Sequence, residues 1–213
     1  TTGDKGNGLG ALRDCISCTI TEERNGSFEL EMVYPVGGQH YDSLALRGLI
    51  KAKPNPFADE QLFRIYQISR PIGGQVTVNA AHISYDLSGI PVAPFAASGA
   101  QAALTGLKEH VATDCEFTFW SDISTSGDFS VSVPSSLRSR LGGVEGSILD
   151  VFGGEYEWDN YTVKLHSERG TDRGVSIRYG KNLTDLTQEE NCASIYTGVY
   201  PYWTDSDGNV VQI

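Results

Sequence analysis

Asn25-Gly26 stands between two runs of alternating polarity, and this constrains the fold more than any other feature of the chain. Both residue types tolerate a positive φ, the twist that a tight turn between antiparallel strands requires, so Asn-Gly in this setting specifies a β-hairpin. Upstream, Cys15-Ile-Ser-Cys-Thr-Ile20 alternates; downstream, Phe28, Leu30, Met32 and Tyr34 alternate with Ser27, Glu29, Glu31 and Val33. A period of two sends the apolar set to one face of a sheet and the polar set to the other. Further strands are predicted at 46–52 and at 62–70 paired with 75–82, with Pro54 and Pro56 punctuating the loop between. Short turns throughout residues 1–90 predict a meander able to close into an antiparallel β-barrel-like domain.

The period then changes. Ser98-Gly-Ala-Gln101 has the spacing of a capping box, and Ala100, Ala103, Leu104, Leu107 and Val111 follow at helical spacing, predicting a helix over 99–112. A helical turn from Pro134-Ser-Ser-Leu137 to Gly142-Gly143 and a helix over 144–152, stopped by Gly153-Gly154, complete an α/β segment at 91–153. Strand patterns return at 155–158 and 161–166 around Asp159-Asn160, then at 175–179, 194–197 and 200–203. Asp205-Ser-Asp-Gly208 reads as a hairpin turn and 209–213 as its return strand. Residues 154–213 are therefore expected to be an incomplete part of a second barrel, with a longer protein continuing past Ile213. The missing initiator Met at Thr1 is expected to reflect processing or trimming. The fold class is α+β and β-rich.

Composition narrows the partners. The net charge is −11, and acidic residues outnumber basic ones in each of the three segments. Affinity for phosphate backbones and for anionic lipid comes from clustered Lys and Arg, so stable nucleic-acid binding and membrane docking are disfavoured. No apolar run approaches the roughly 20 residues that span a bilayer, and residues 1–8 lack a signal-peptide core.

Several residues invite a chemical role. Cys15-x-x-Cys18 has metal or redox spacing, but no second pair of ligands follows it, and strand alternation places the two thiols on opposite faces. Cys15, Cys18, Cys115 and Cys192 are read as free thiols. His82-Ile-Ser-Tyr-Asp86 juxtaposes triad residue types in sequence only, and His82 and Asp86 are expected to cap the strand exit. His110 suits a helix C-terminus. Cys115 with His110 or His82 is the one nucleophile–base pair that can be sketched. Glu155 and Glu157 beside Tyr156 and Trp158 resemble a glycosidase face but are read as a solvated strand face. Trp120, Trp158 and Trp203 are candidates for stacking on a sugar. The sequons at Asn25, Asn160 and Asn182 are read as turns, and 205–209 lacks the Glu that completes a calcium loop. No catalytic, cofactor-binding or metal-ligating residue is predicted.

The order of the motifs adds a resemblance. Asn25-Gly-Ser-Phe-Glu-Leu-Glu31, Tyr34-Pro35, Leu62-Phe-Arg-Ile-Tyr66 and Ala81-His-Ile-Ser-Tyr-Asp-Leu87 are followed by Gly146-Ser-Ile-Leu-Asp150, Gly153-Gly-Glu155, Arg169-Gly-Thr-Asp-Arg-Gly174, Tyr179-Gly-Lys-Asn-Leu183 and Tyr200-Pro-Tyr202. In this order they resemble the N-terminal region of the prophage tail protein family, whose members are also labelled minor structural protein, tail-associated lysin or tail endopeptidase. The resemblance runs from about residue 8 to the end. It implies a likeness to the baseplate hub of contractile-tailed phages: a homotrimer at the distal tail tip of the virion, below the distal tail protein, that caps or continues the tail tube. It implies the tape-measure protein as a further partner, and DNA passing through the channel without stable binding. Lytic activity, where the family has it, resides in C-terminal domains, so this chain is expected not to be an enzyme. The alternative is a cell-wall-degrading lysin, a peptidase or glycan hydrolase, or its substrate-binding portion.

Overall fold

The Asn25 turn forms as the alternation requires. Asn25 takes φ 56°, and β1 (Ser17–Glu22) runs antiparallel to β2 (Phe28–Pro35), with Glu22 opposite Phe28. A computed structural model describes residues 8–69, 73–170, 174, 176, 178–181, 198, 201–204 and 206–212. The chain folds as two units, Thr1–Gly170 and Thr171–Ile213.

In the first unit, β3 (Leu49–Ala52), β4 (Gln61–Ser69) and β5 (Gln75–His82) complete a five-stranded antiparallel sheet of order β1-β2-β5-β4-β3. The predicted meander is corrected here. β2 pairs with β5, and residues 36–48 carry the chain across to the far edge, which is a Greek-key order. Alternation decides the buried face: Phe28, Leu30, Met32 and Tyr34 point inward from β2, and Val76, Val78, Ala80 and His82 from β5. Leu30 sits opposite Ala80 and Met32 opposite Val78, so large and small side chains interlock. A bulge shifts the β4–β5 register between Ile65 and Gln67. Such an inserted residue bends its strand and increases the twist, and the sheet curls as a half-barrel. Among the described residues, β1 and β3 each pair with one strand only, so these residues form an open half-barrel.

The chain leaves β5 through a 3₁₀ segment (Ile83–Gly89) and enters the helical layer. There β6 (Pro91–Val92), β7 (Phe95–Ser98), α1 (Ala100–Glu109), β8 (Thr118–Ser121), β9 (Asp128–Val131), β10 (Ser135–Ser136), α2 (Leu137–Leu141) and α3 (Ile148–Phe152) alternate. Three helices appear where the sequence predicts them, and Ala100, Ala103, Leu104 and Leu107 are the buried stripe of α1. The predicted capping box is corrected. The N-cap is Gly99, which offers no side chain, while Ser98 closes β7 and gives its hydroxyl to Asp128. Gln101 instead accepts the Ser121 N–H at 2.7 Å. Genuine caps occur at Ser136 and Ser147, whose hydroxyls accept N–H groups from Ser139 and Asp150.

The hairpin of β11 (Glu155–Asp159) and β12 (Thr162–His166) turns through Asn160-Tyr161, one residue later than predicted. β12 also pairs in parallel with β8, which draws the hairpin into the same core: buried apolar side chains run without a break from Phe28 to Leu165. In the second unit, β13 (Tyr202–Thr204) pairs antiparallel with β14 (Val210–Gln212) around the predicted turn. The predicted strand at 194–197 lies outside the described residues, as do residues 175 and 177 of the one at 175–179, whose described residues 176, 178 and 179 form no strand; Cys192 and Asn182 also lie outside them. No helix among the described residues is long and apolar enough to cross a membrane.

Candidate functional site

Two turn asparagines join the half-barrel to the second layer. The Asn25 Oδ1 accepts the Tyr156 N–H at 2.9 Å and its Nδ2 donates to the Gly154 carbonyl at 2.9 Å. Its amide thus imitates one residue of a paired strand at the start of β11. Asn160, at φ 50°, reciprocates: Oδ1 accepts the Leu62 N–H at 2.9 Å and Nδ2 donates to the Glu60 carbonyl at 3.0 Å, at the start of β4. Arg24 pairs with Glu155 at 2.8 Å beside the first clamp. Both asparagines are legible as turn residues; nothing local in sequence shows that their side chains bridge positions more than 90 residues apart.

Between the clamps lies a buried polar cluster. His82 is fully buried, with Phe28 stacked on its ring at 4.5 Å. Its Nδ1 accepts the Ser84 N–H and so caps the 3₁₀ segment, as the sequence reading expects of a strand-exit cap. Its Nε2 lies 3.2 Å from Gln61 Oε1, which also accepts the Asn160 N–H at 2.7 Å. An accepting Nδ1 and an Nε2 facing a carbonyl oxygen define the neutral Nε2–H tautomer. Burial, and after it the Arg138 charge, pushes the His82 pKa down to about 3. Arg138 donates to Ser84 Oγ at 2.8 Å and lies between the rings of Tyr85 and Trp158, 4.5 and 4.3 Å from their centroids. Burial lowers its pKa. Sequence reasoning missed Gln61 and Arg138. Gln61 had a signal, a polar residue at an inward position of the β4 alternation; Arg138 had none.

The triad residue types at 82–86 do not converge. Asp86 is held by Arg64, through Nε at 2.8 and 2.9 Å and Nη2 at 2.7 Å, while Ser84 faces Arg138. The sketched Cys115 pair is not assembled either. His82 is committed to Ser84 and Gln61, His110 presents Nδ1 to the Gly106 carbonyl at the end of α1, and burial raises the Cys115 pKa. Glu157, read from sequence as simply solvated, is tied down. Lys164 donates to it at 2.8 Å, and His166 Nε2 lies 2.8 Å from its other oxygen. Burial opposes its ionisation, but these two hydrogen bonds outweigh burial and hold its pKa below the ordinary carboxylate range. Trp158 is buried against Tyr156, whereas Trp120 and Trp203 are exposed. Among the described residues no three His, Cys, Asp or Glu side chains gather as a metal would need.

One open concavity is apolar in character. A groove of about 560 Å³ lies on the inner side of the half-barrel, walled by β1 and β3, floored by Met32, Ile50 and Ile65, and bordered by residues 8–12. Cys15 and Cys18 both line it, which corrects their predicted placement on opposite faces. The strand begins only at Ser17, and Cys15 belongs to the preceding turn, where Sγ donates to the Ser17 carbonyl at 3.2 Å. Both are free thiols whose pKa burial raises. The lining contains no carboxylate, although the chain is strongly acidic.

The first unit is thus a curled antiparallel sheet docked through hairpin tips onto a small helical layer. A solved structure with a similar fold is the prophage tail protein gp18 from Listeria monocytogenes EGD-e, with a TM-score of 0.57 and 16% identity over 95% of this chain. The chain spans 61% of the length of that protein. No known family profile matches the chain, and no curated protein matches it in sequence.

Proposed function

We propose that this chain is a structural component of a phage or prophage tail. In this reading it forms the hub at the distal tip, below the distal tail protein, where it caps or continues the tail tube. The observation that carries the proposal is a prophage tail protein's fold shared along 95% of the chain. The ordered motifs from Asn25 to Tyr202 support the same reading from sequence. The chain acts as a homotrimer in the assembled tail, contacts the distal tail and tape-measure proteins, and lets DNA pass without stable binding. Net charge −11 suits that last role, because like charge keeps a surface from holding the phosphate backbone. The chain itself carries no lytic activity.

The test is to purify tailed particles from a strain whose phage or prophage encodes the chain, quantify it by mass spectrometry, and place it with gold-labelled antibody. Label confined to the distal end is expected. Absence from particles overturns the tail role, and label on the head or along the tail overturns the tip. Peptidoglycan hydrolysis by the purified chain, lost in Cys115→Ala, overturns the non-enzymatic reading in favour of a lysin.

A further inference from the structure

Asn25-Gly26, the turn that opens the sheet, is also a reactive dipeptide. In an Asn-Gly pair the glycine nitrogen can attack the asparagine side-chain Cγ, because glycine has no Cβ to obstruct the approach. The N–Cγ bond forms, the Cγ–Nδ2 bond breaks, and ammonia leaves with the proton lost by the glycine N–H. Water then opens the cyclic imide at either carbonyl, which puts aspartate or isoaspartate at position 25. Water is the sole co-reactant, and Asn25 stands exposed to it.

The folded turn restrains each group that this reaction needs. Bonds to the Tyr156 N–H and the Gly154 carbonyl, both at 2.9 Å, hold the Asn25 amide against β11, so Cγ is not free to swing onto the next nitrogen. The nucleophile is engaged too, because the Gly26 N–H donates to the Glu23 carbonyl at 3.0 Å. The Glu23 carboxylate also lies against Gly26, where its charge opposes the deprotonation that attack requires. Freeing the amide means parting the β1–β2 tip from β11. The product, in turn, does not suit the docked state. A carboxylate at 25 still accepts from Tyr156 but has no hydrogen to give the Gly154 carbonyl. It also adds charge beside Glu155, whose two oxygens already serve Arg24 and the Arg169 N–H. Isoaspartate further lengthens the backbone by one methylene in a turn that sets the β1–β2 register.

We propose that Asn25 is a deamidation site gated by the docking of the two layers. It stays intact while its clamp is closed, converts once the layers part, and thereafter cannot re-form the clamp. The inference depends on the clamp alone and stands whether or not the tail reading does. The test follows conversion at position 25 in the full chain in mildly alkaline buffer, by peptide mapping with mass spectrometry. The folded chain is expected to convert about tenfold or more slowly than the same chain unfolded in urea, because only the open fraction reacts. Asn160→Gly loosens the other clamp and is expected to speed conversion at 25 about tenfold. Urea below the unfolding midpoint should speed it in the parent chain, which keeps the test independent of how well that variant folds. Asn25→Asp, the hydrolysis product, is expected to lower the urea midpoint. An equal rate in the folded and unfolded chains overturns the gate, as does a rate that neither Asn160→Gly nor urea below the midpoint raises. An Asn25→Asp chain as stable as the parent overturns the loss of the clamp.

Discussion

Asn160→Ala tests whether the hairpin-tip clamp holds the two layers together. The substitution removes the acceptor for the Leu62 N–H and the donor to the Glu60 carbonyl, two hydrogen bonds of 2.9 and 3.0 Å. Each contributes about 0.5–1.5 kcal/mol net, with the larger figure suited to the half-buried Leu62 amide left without a partner. Asn160 also sits at φ 50°, which asparagine tolerates and alanine does not, adding about 1 kcal/mol. The expected loss is about 2–4 kcal/mol, a large share of the roughly 5–15 kcal/mol that holds a domain folded. Asn160→Gly separates the two contributions. It loses the same hydrogen bonds but keeps the left-handed backbone, so it should be about 1 kcal/mol less damaging than alanine. Urea unfolding at pH 7, followed by near-ultraviolet circular dichroism of the buried Tyr156–Trp158 stack, reads the first unit directly. An alanine variant within 0.5 kcal/mol of the parent, or a glycine variant equal to it, refutes the clamp as reasoned.

Three further outcomes are expected. His82 has a folded pKa near 3 against an ordinary value of about 6.5, so the unfolded chain binds the extra proton first as pH falls. Its contribution is complete above about pH 6.5 and is lost progressively towards pH 3, on the order of 3 kcal/mol by pH 4.5. Urea midpoints across that range, and an imidazole resonance that stays neutral at pH 5, check it. Gly106→Ala should destabilise by about 1–3 kcal/mol, the reverse of what helix propensity predicts, because the added methyl collides with the Phe95 ring; thermal unfolding gives the sign. Ser147→Ala should cost about 1 kcal/mol as the loss of a helix cap, while Ser98→Ala, at the predicted capping box, should stay within about 0.5 kcal/mol in the same assay.

Local periodicity carries what was legible. Asn25-Gly26, the alternation of β2 and the apolar stripe of α1 are each set within a dozen residues by backbone stereochemistry and side-chain direction, which are the same in any fold. His82 as a strand-exit cap was likewise readable, because the residues it caps follow it directly. Sequence alone therefore determined the five strands of the half-barrel sheet, the hairpin at 155–166, the three helices, the acidic character and the turn that opens the sheet, while the short strands β6 to β10 of the helical layer left no periodicity to read. Tertiary structure alone decided the rest. β2 chose β5 over β3, and Ser98 was drawn to Asp128 rather than to its own helix. Asn25, Asn160, Gln61 and Arg138 found partners across the chain, and Cys15 came to share a groove with Cys18. Each outcome depends on which distant segment arrives to satisfy a hydrogen bond or fill a volume, and a period of two or of 3.6 holds no information about that.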